Sequence, residues 1–171
     1  AGSTAGAAAA AQPSANLSVA RVFELPGDVK CAAHSAGMVY TGDSDGPLRV
    51  WSAKTGVKET FADRNVDEKV TALCVVGRTS LWVGTANGEL LSYDIASRAV
   101  TKKPAMTHAS GVTCITECEL PSGTVVVTGG NDFVVKVFTK QHELVSSSAH
   151  HHGAVRAVAF LPAGGGCAPA G

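Results

Sequence analysis

The apolar positions of this chain fall into short runs that recur at a nearly constant interval. Four of these runs begin with a valine, at intervals of roughly 40–45 residues, which is the period of several repeat folds. They start at Val29, Val70, Val112 and Val155. Each of the first three is followed by a second apolar run, a turn, and a third run that ends in an aromatic residue. The pattern therefore indicates a structural repeat.

The runs have the composition of β-strands, because they are rich in Val, Thr and aromatic residues and are bounded by turn residues. The second runs begin at Met38, Leu81 and Val125, and the third runs end at Trp51, Tyr93 and Phe138. A weaker fourth run follows in each repeat, over 57–61, 98–102 and 143–147. Turns are expected at Asp45-Gly46, Asn87-Gly88 and Asn131-Asp132, where the residue types suit tight hairpins. No apolar period of 3.6 residues is present, so helices should be few.

Four short antiparallel strands in each repeat predict an all-β fold, a segment of a β-propeller. We expect three four-stranded antiparallel blades plus the first strand of a fourth. The alternative is another all-β sandwich with regular hairpins. That alternative does not predict the constant offset of six residues from Asp45, Asn87 and Asp132 to the aromatic residue of the third run.

The repeats resemble WD repeats, in which a His, a Ser or Thr, an Asp and a Trp from successive elements form a hydrogen-bonded set. Such a set lets buried polar atoms satisfy one another while joining three strands. Here Phe138 occupies the Trp position of the third repeat, and Leu25 occupies the His position of the first. In the second repeat, Val83 and Asn87 replace the Ser or Thr and the Asp, so this repeat keeps the strand pattern without the hydrogen-bonded set. The predicted polar set comprises Thr41, Asp45, Trp51, His108, Thr128, Asp132 and His151.

Three segments are expected along the chain. Residues 1–16 are rich in Ala and Gly and predict a disordered segment, 17–162 form the propeller segment, and 163–171 form a Gly/Ala-rich tail or loop. Residues 17–25 could supply the outer strand of a preceding blade. Because propellers usually have about four to eight blades, we expect the parent protein to continue into further repeats. Residues 1–171 alone should then be partly unfolded or self-associated through exposed edges.

Charge and cysteine usage narrow the function classes. Fourteen basic residues balance fourteen acidic ones, for a formal net charge of zero, so a nucleic-acid partner is not expected. Five cysteines in apolar runs do not form a disulfide pattern, which favours reduced thiols and a cytoplasmic protein, with the nucleus as the alternative. The Ala-rich start lacks the features of a secretory signal, and no apolar stretch is long enough for a membrane span.

Motifs that could carry chemistry are weak. His150, His151 and His152 are adjacent on an expected loop, so they cannot all face one metal ion. Cys114 and Cys118 lack the Cys-x-x-Cys spacing of zinc sites and predict small thiols packed in a sheet. No hydrolase, metalloprotease or phosphate-loop motif is found. We therefore expect no enzyme activity, no metal and no cofactor.

The resemblance implies a protein–protein interaction scaffold, a WD-repeat platform within a larger protein or complex. In this family, loops before the first strand and between the second and third strands gather on one rim, which would place Ser44, Ser110, Asn131 and His152 near a partner. The expected partners are other proteins or peptides and the remaining repeats of the propeller. The alternative is a regulatory propeller attached to a catalytic domain outside this segment, for example an inositol-phosphate phosphatase. A subunit of a chromatin or RNA complex would require a basic stripe that the sequence lacks.

Overall fold

The computed structural model describes Val22 and residues 28–43, 48–59, 69–102 and 107–160. In these residues all regular structure is β-strand, in three antiparallel sheets of four strands, which confirms the predicted blades. The described ranges contain no helix that is long and apolar enough to cross a membrane. Residues 1–16 and 163–171, the strand expected over 17–25 apart from Val22, and the turn at Asp45-Gly46 lie outside the described residues.

The blades follow one another along the chain. Blade one consists of Val29–Ser35 (β1), Met38–Asp43 (β2), Leu48–Ser52 (β3) and Lys58–Glu59 (β4). Blade two consists of Val70–Val76 (β5), Ser80–Thr85 (β6), Leu90–Asp94 (β7) and Val100–Lys102 (β8). Blade three consists of Val112–Leu120 (β9), Gly123–Gly130 (β10), Val135–Thr139 (β11) and Leu144–Ser148 (β12).

Each blade is a simple meander in which every strand pairs with its neighbours in sequence. The first strand of each blade lies beside the first strand of the next, so β1, β5 and β9 form the inner side of the array. The pairing of the first two strands shifts register at the same place in every blade, at the start of the first strand. The sequence repeat is therefore reproduced in the backbone, including its irregularity.

Apolar side chains between the blades form the core. Tyr40 and Val50 of blade one pack in one cluster with Leu81, Leu91 and Tyr93 of blade two. The opposite face of blade two contributes to a second cluster, which joins blades two and three through Val76, Trp82, Leu90, Val126 and Phe138. Alternate residues of β6 thus enter different clusters, as expected for a strand whose sheet is covered on both faces.

The junction between blades is built from the same contact three times. Near the end of the second strand, a glycine lies against the valine that opens the next blade, in the pairs Gly42–Val70, Gly84–Val112 and Gly129–Val155. A Cβ atom added to these glycines would lie 2.5–2.7 Å from the valine side chain, which is closer than non-bonded atoms approach. The glycines therefore permit the close stacking of successive blades.

The fourth repeat is represented by its first residues. Val155 is buried, its N–H donates to Gly130 O at 3.1 Å, and its carbonyl oxygen accepts from the hydroxyl of Thr113. It thus occupies the place that Val70 and Val112 occupy at the earlier junctions. Residues 154–160 form no regular strand and pair with no other strand of the described residues.

Candidate partner-binding rim

A buried histidine connects three elements of blade three. His108, which is only 1% exposed, lies in the loop before β9. Its Nδ1 lies 3.0 and 3.1 Å from the two carboxylate oxygens of Asp132, and its Nε2 lies 2.8 Å from Thr128 Oγ1. A carboxylate only accepts, so Nδ1 donates to Asp132, and the Thr128 hydroxyl donates to Nε2 when the ring is neutral. The structure thus brings three predicted members of the polar set together.

The Asp132 carboxylate organises the hairpin turn between β10 and β11. It accepts hydrogen bonds from the backbone N–H groups of Ala109, at 2.9 Å, and of Val134, at 3.2 Å. Burial by itself raises the pKa of Asp132, but the hydrogen bonds from His108, Ala109 and Val134 outweigh it and hold the pKa below its ordinary value of 3.8. The ionised form therefore stabilises the turn and its link to the loop before β9.

Replacing Asp132 with alanine should lower the free energy of unfolding by about 1–3 kcal/mol, because His108 and two backbone donors lose their acceptor. Denaturant unfolding of the wild-type and variant proteins measures this difference. A loss near zero would show that the hydrogen bonds contribute no stability.

The pH dependence of the free energy of unfolding provides a second test of the Asp132 hydrogen bonds. Because the pKa of Asp132 is lower in the folded state, its contribution is present above the ordinary value of 3.8 and is lost as the pH falls through the folded-state pKa. The wild-type protein should therefore lose more stability on acidification than the Asp132→Asn variant. Parallel acid profiles for the two proteins would contradict this assignment.

Blades one and two retain different parts of the polar set. In blade one, Trp51 Nε1 donates to Thr41 Oγ1 at 3.1 Å in a buried position. In blade two, Thr85 and Asn87 hydrogen-bond each other within the turn, and the aromatic position is filled by the buried Tyr93. Blade three has Phe138 in place of Trp, and Phe138 packs near Trp82 with ring centroids 6.4 Å apart.

The sequence register also assigned His151 to a polar set, and here the structure requires a correction. His151 is exposed in the loop before Val155, and it makes no hydrogen bond with another described residue. In blade three the histidine is held by Thr128 and Asp132 of its own second strand and turn. His151 makes no equivalent contact within the described residues.

The loops at one end of the array are tied together by backbone hydrogen bonds. Gly88 O, in the turn between β6 and β7, accepts from the N–H groups of Thr107 and His108, both at 3.1 Å. Asn131, in the turn between β10 and β11, donates its N–H to Gly111 O at 2.8 Å. We call this end the rim, defined by residues 86–89, 107–111, 131–134 and 151–155. Each turn is thereby fixed against the loop that opens the next strand or blade.

The rim contains the partner-facing residues that the sequence suggested, with one exception. Ser110, Asn131 and His152 are exposed on it. Asn131 also borders a cavity of about 470 Å³ at the start of the inner strands. Ser44 lies outside the described residues, as does Asp45 of the polar set.

Phe133 is a rim residue that the sequence reasoning missed. It lies in the turn between β10 and β11 with φ +67°, and its side chain is 45% exposed. A left-handed backbone is unfavourable for a bulky residue and is normally occupied by glycine. In the same register the second repeat has Gly88, with φ +93°, and the first has Gly46 in its sequence. The sequence signal for this residue was a phenylalanine at the turn position where the other two repeats have glycine.

The histidine and cysteine candidates show no convergence. Within the described ranges, no three His, Cys, Asp or Glu side chains come close enough to hold a metal ion. His150 instead hydrogen-bonds Ser148 Oγ at 2.8 Å. Four cysteines in the described residues are free thiols, and burial raises the pKa of Cys31 and of Cys74 to about 11. Those two thiols therefore remain protonated near neutral pH.

Comparison with known proteins identifies the family. The family model described as LRRK2 beta propeller matches residues 48–150, which is more than half of the chain. A search of the curated proteins finds no match. Among solved structures, the crystal structure of the computationally designed Ika4 protein is similar with a TM-score of 0.68 and 22% sequence identity. The match covers 82% of this chain and 84% of the designed one, and at that identity it shows a common fold alone. The chain therefore belongs to the LRRK2 β-propeller family.

Proposed function

We propose that this chain is a WD-type β-propeller segment that binds other proteins through its rim, as an interaction platform within a larger protein or complex. The observation that carries the proposal is Phe133, an exposed aromatic residue in a left-handed backbone conformation. The other described repeat has glycine at this position. A phenylalanine in this backbone conformation costs folding free energy, and its half-exposed ring recovers little of that cost by burial. Burial of the ring against a partner would account for its presence.

The surroundings of Phe133 support this proposal. The turn that carries it is fixed by the Asp132 carboxylate and by the hydrogen bond between Asn131 and Gly111, so the aromatic ring is presented by a well-ordered element. A rigid anchor loses little conformational entropy when it binds, which favours affinity. Aromatic residues are also enriched at the energetically important positions of protein interfaces.

The WD assignment rests on the polar contacts. The His108–Thr128–Asp132 set and the Trp51–Thr41 pair have the residue types and the connections expected of two incomplete WD repeats. They are complementary, since one repeat retains the histidine part and the other the tryptophan part. Within this proposal the chain is itself non-catalytic and acts in the cytoplasm or nucleus. A catalytic domain elsewhere in the parent protein remains the alternative proposal for its role.

The first test compares two identical substitutions in one blade. Phe133→Gly should change the free energy of unfolding by less than about 1 kcal/mol, because relief of the left-handed strain offsets the loss of a half-buried ring. Phe138→Gly, at a buried position, should cost at least about 3 kcal/mol. Denaturant unfolding measures both values, and equal losses would show that Phe133 is a core residue.

The second test measures binding. Affinity-tagged full-length protein should recover a reproducible set of partner proteins, and Phe133→Gly should remove members of that set. The control is Val57→Gly, since Val57 is 60% exposed and lies between β3 and β4, at the end of the blades opposite the rim. Retention of the same partners by the Phe133 variant, or loss of the same partners by both variants, would overturn the proposal.

A further inference from the structure

We propose that the cavity beside the rim binds an acidic segment of the partner protein, through its carboxylate or phosphate groups. This inference rests on the proposed interaction function and adds the chemistry of the partner. The cavity has a volume of about 470 Å³, within the usual range of binding sites. Its lining includes three basic side chains, those of Lys30, Lys69 and Arg156.

The position of two of these cations follows from the repeat. Lys30, Thr71, Thr113 and Arg156 each come directly after the valine that opens a repeat, and all four line the cavity. The hydroxyl of Thr71 donates to Val112 O at 2.5 Å, and that of Thr113 donates to Val155 O, so each threonine ties one inner strand to the next. Lys30 and Arg156 place a positive charge where the two middle repeats place these small hydroxyl groups.

The charge of the cavity is not balanced by its own acidic residue. Asp43, the carboxylate in the lining, is 1% exposed and forms an ion pair with Arg49. Lys30 forms an exposed ion pair with Asp28 at 2.5 Å. Lys69 and Arg156 are exposed, and neither forms an ion pair with another residue of the described ranges. Among the described residues that line the cavity, three are basic and one is acidic, in a chain whose formal net charge is zero.

This local excess favours a protein segment over nucleic acid. A nucleic-acid backbone is usually bound by an extended basic surface that contacts many phosphates. Here the cations surround one cavity, together with the Asn131 side chain and the two threonines. Such a site fits one or two anionic groups of a peptide, with cations that donate charge-assisted hydrogen bonds.

Binding of defined probes to the full-length protein tests this inference. The first probe is a fluorescent peptide of alternating Glu and Gly, and its control has Gln in place of Glu. A third peptide carries phosphoserine in place of one Glu. We expect the Glu or the phosphoserine peptide to bind at least about tenfold more tightly than the Gln peptide, with an affinity that falls as salt is added. Equal binding of all three peptides would overturn the inference.

Two matched double variants locate the site. Lys69→Gln with Arg156→Gln should weaken binding of the acidic probe by at least about tenfold. Lys58→Gln with Arg78→Gln removes the same charge from exposed positions outside the cavity and should leave the affinity unchanged. Equal losses in the two variants would show nonspecific attraction and contradict a site in the cavity.

Competition by inorganic phosphate distinguishes the source of the anion. If free phosphate displaces the peptide at a concentration similar to that of the unlabelled peptide itself, the site is a small-anion site and the polypeptide assignment is wrong. The acidic-segment inference can fail while the proposed binding of partners through Phe133 holds. Partner proteins lost on Phe133→Gly but bound equally by both double variants would contradict the acidic-segment inference alone.

Discussion

Replacement of Trp82 by alanine is expected to lower the free energy of unfolding by about 3–5 kcal/mol. Trp82 is 1% exposed and fills the core between blades two and three, against Leu90 and Val126. It also stacks on the His142 ring, with centroids 3.8 Å apart and an interplanar angle of 4°. Removal of the indole therefore leaves a cavity at the blade junction and removes an aromatic contact.

Denaturant unfolding of the full-length protein measures this loss, and Trp82→Phe serves as its control. Phenylalanine keeps a ring in the core and in contact with His142, so it should restore most of the lost stability. A change of less than about 1 kcal/mol for Trp82→Ala would mean that the two blades do not share this core.

Replacement of Gly88 by alanine is expected to destabilise the protein by roughly 2–5 kcal/mol, as the sum of two costs. The φ of +93° is unfavourable for alanine, and the new Cβ would lie 2.3 Å from His108 O and 2.7 Å from Ser110 O. The backbone cost is about 1–2 kcal/mol, and the collision with backbone atoms adds typically 1–3 kcal/mol. The loop that carries His108 would have to move away from blade two.

Gly37 provides the matched comparison. Its φ is +75°, and an added Cβ would meet no atom within 4 Å. Gly37→Ala should therefore carry only the backbone cost, and the difference between the two variants in unfolding free energy reports the contact between the turn and the loop. If both substitutions cost the same, the turn between β6 and β7 does not press against the loop before β9.

Much of the fold could be predicted from the sequence because the determining signals are local and repeated. The alternation of apolar runs and turn residues placed all three blades, and the first three strands of each blade begin or end within a few residues of the expected positions. The outer strands also lie close to the expected positions: β8 and β12 begin within two residues of them, and the predicted strand over 57–61 is observed at Lys58–Glu59, where the described residues end.

The polar set shows which features of the site can be predicted from the spacing of residues in the repeats and which cannot. His108, Thr128 and Asp132 could be placed together because a buried histidine needs partners and the offsets supply them. His151 has the same offset from its valine, but its side chain is exposed in the described structure. A register identifies positions, whereas contacts also depend on which neighbouring elements are present.

The features on which the binding proposals rest were not predicted from the sequence, for a different reason. The strain at Phe133 depends on its backbone angle, and the turn was placed at Asn131-Asp132 without showing that the next residue adopts the left-handed conformation. The cations of the cavity are spread over three repeats and come together only when the inner strands lie side by side. The overall composition does not reveal them, because the chain as a whole is neutral, whereas the described lining of the cavity has three basic residues and one acidic residue.

Site-specific photo-cross-linking from position 133 tests most directly whether the rim is the partner-binding surface. A photoreactive phenylalanine analogue at this position keeps an aromatic ring and reacts with whatever lies against it. In the full-length protein it should form adducts with a partner protein, and an excess of the acidic peptide should reduce them. The same analogue at position 57, on an exposed site at the opposite end of the blades, should form none of these adducts. Equal adducts from both positions, or adducts from position 57 alone, would contradict a binding surface at the rim.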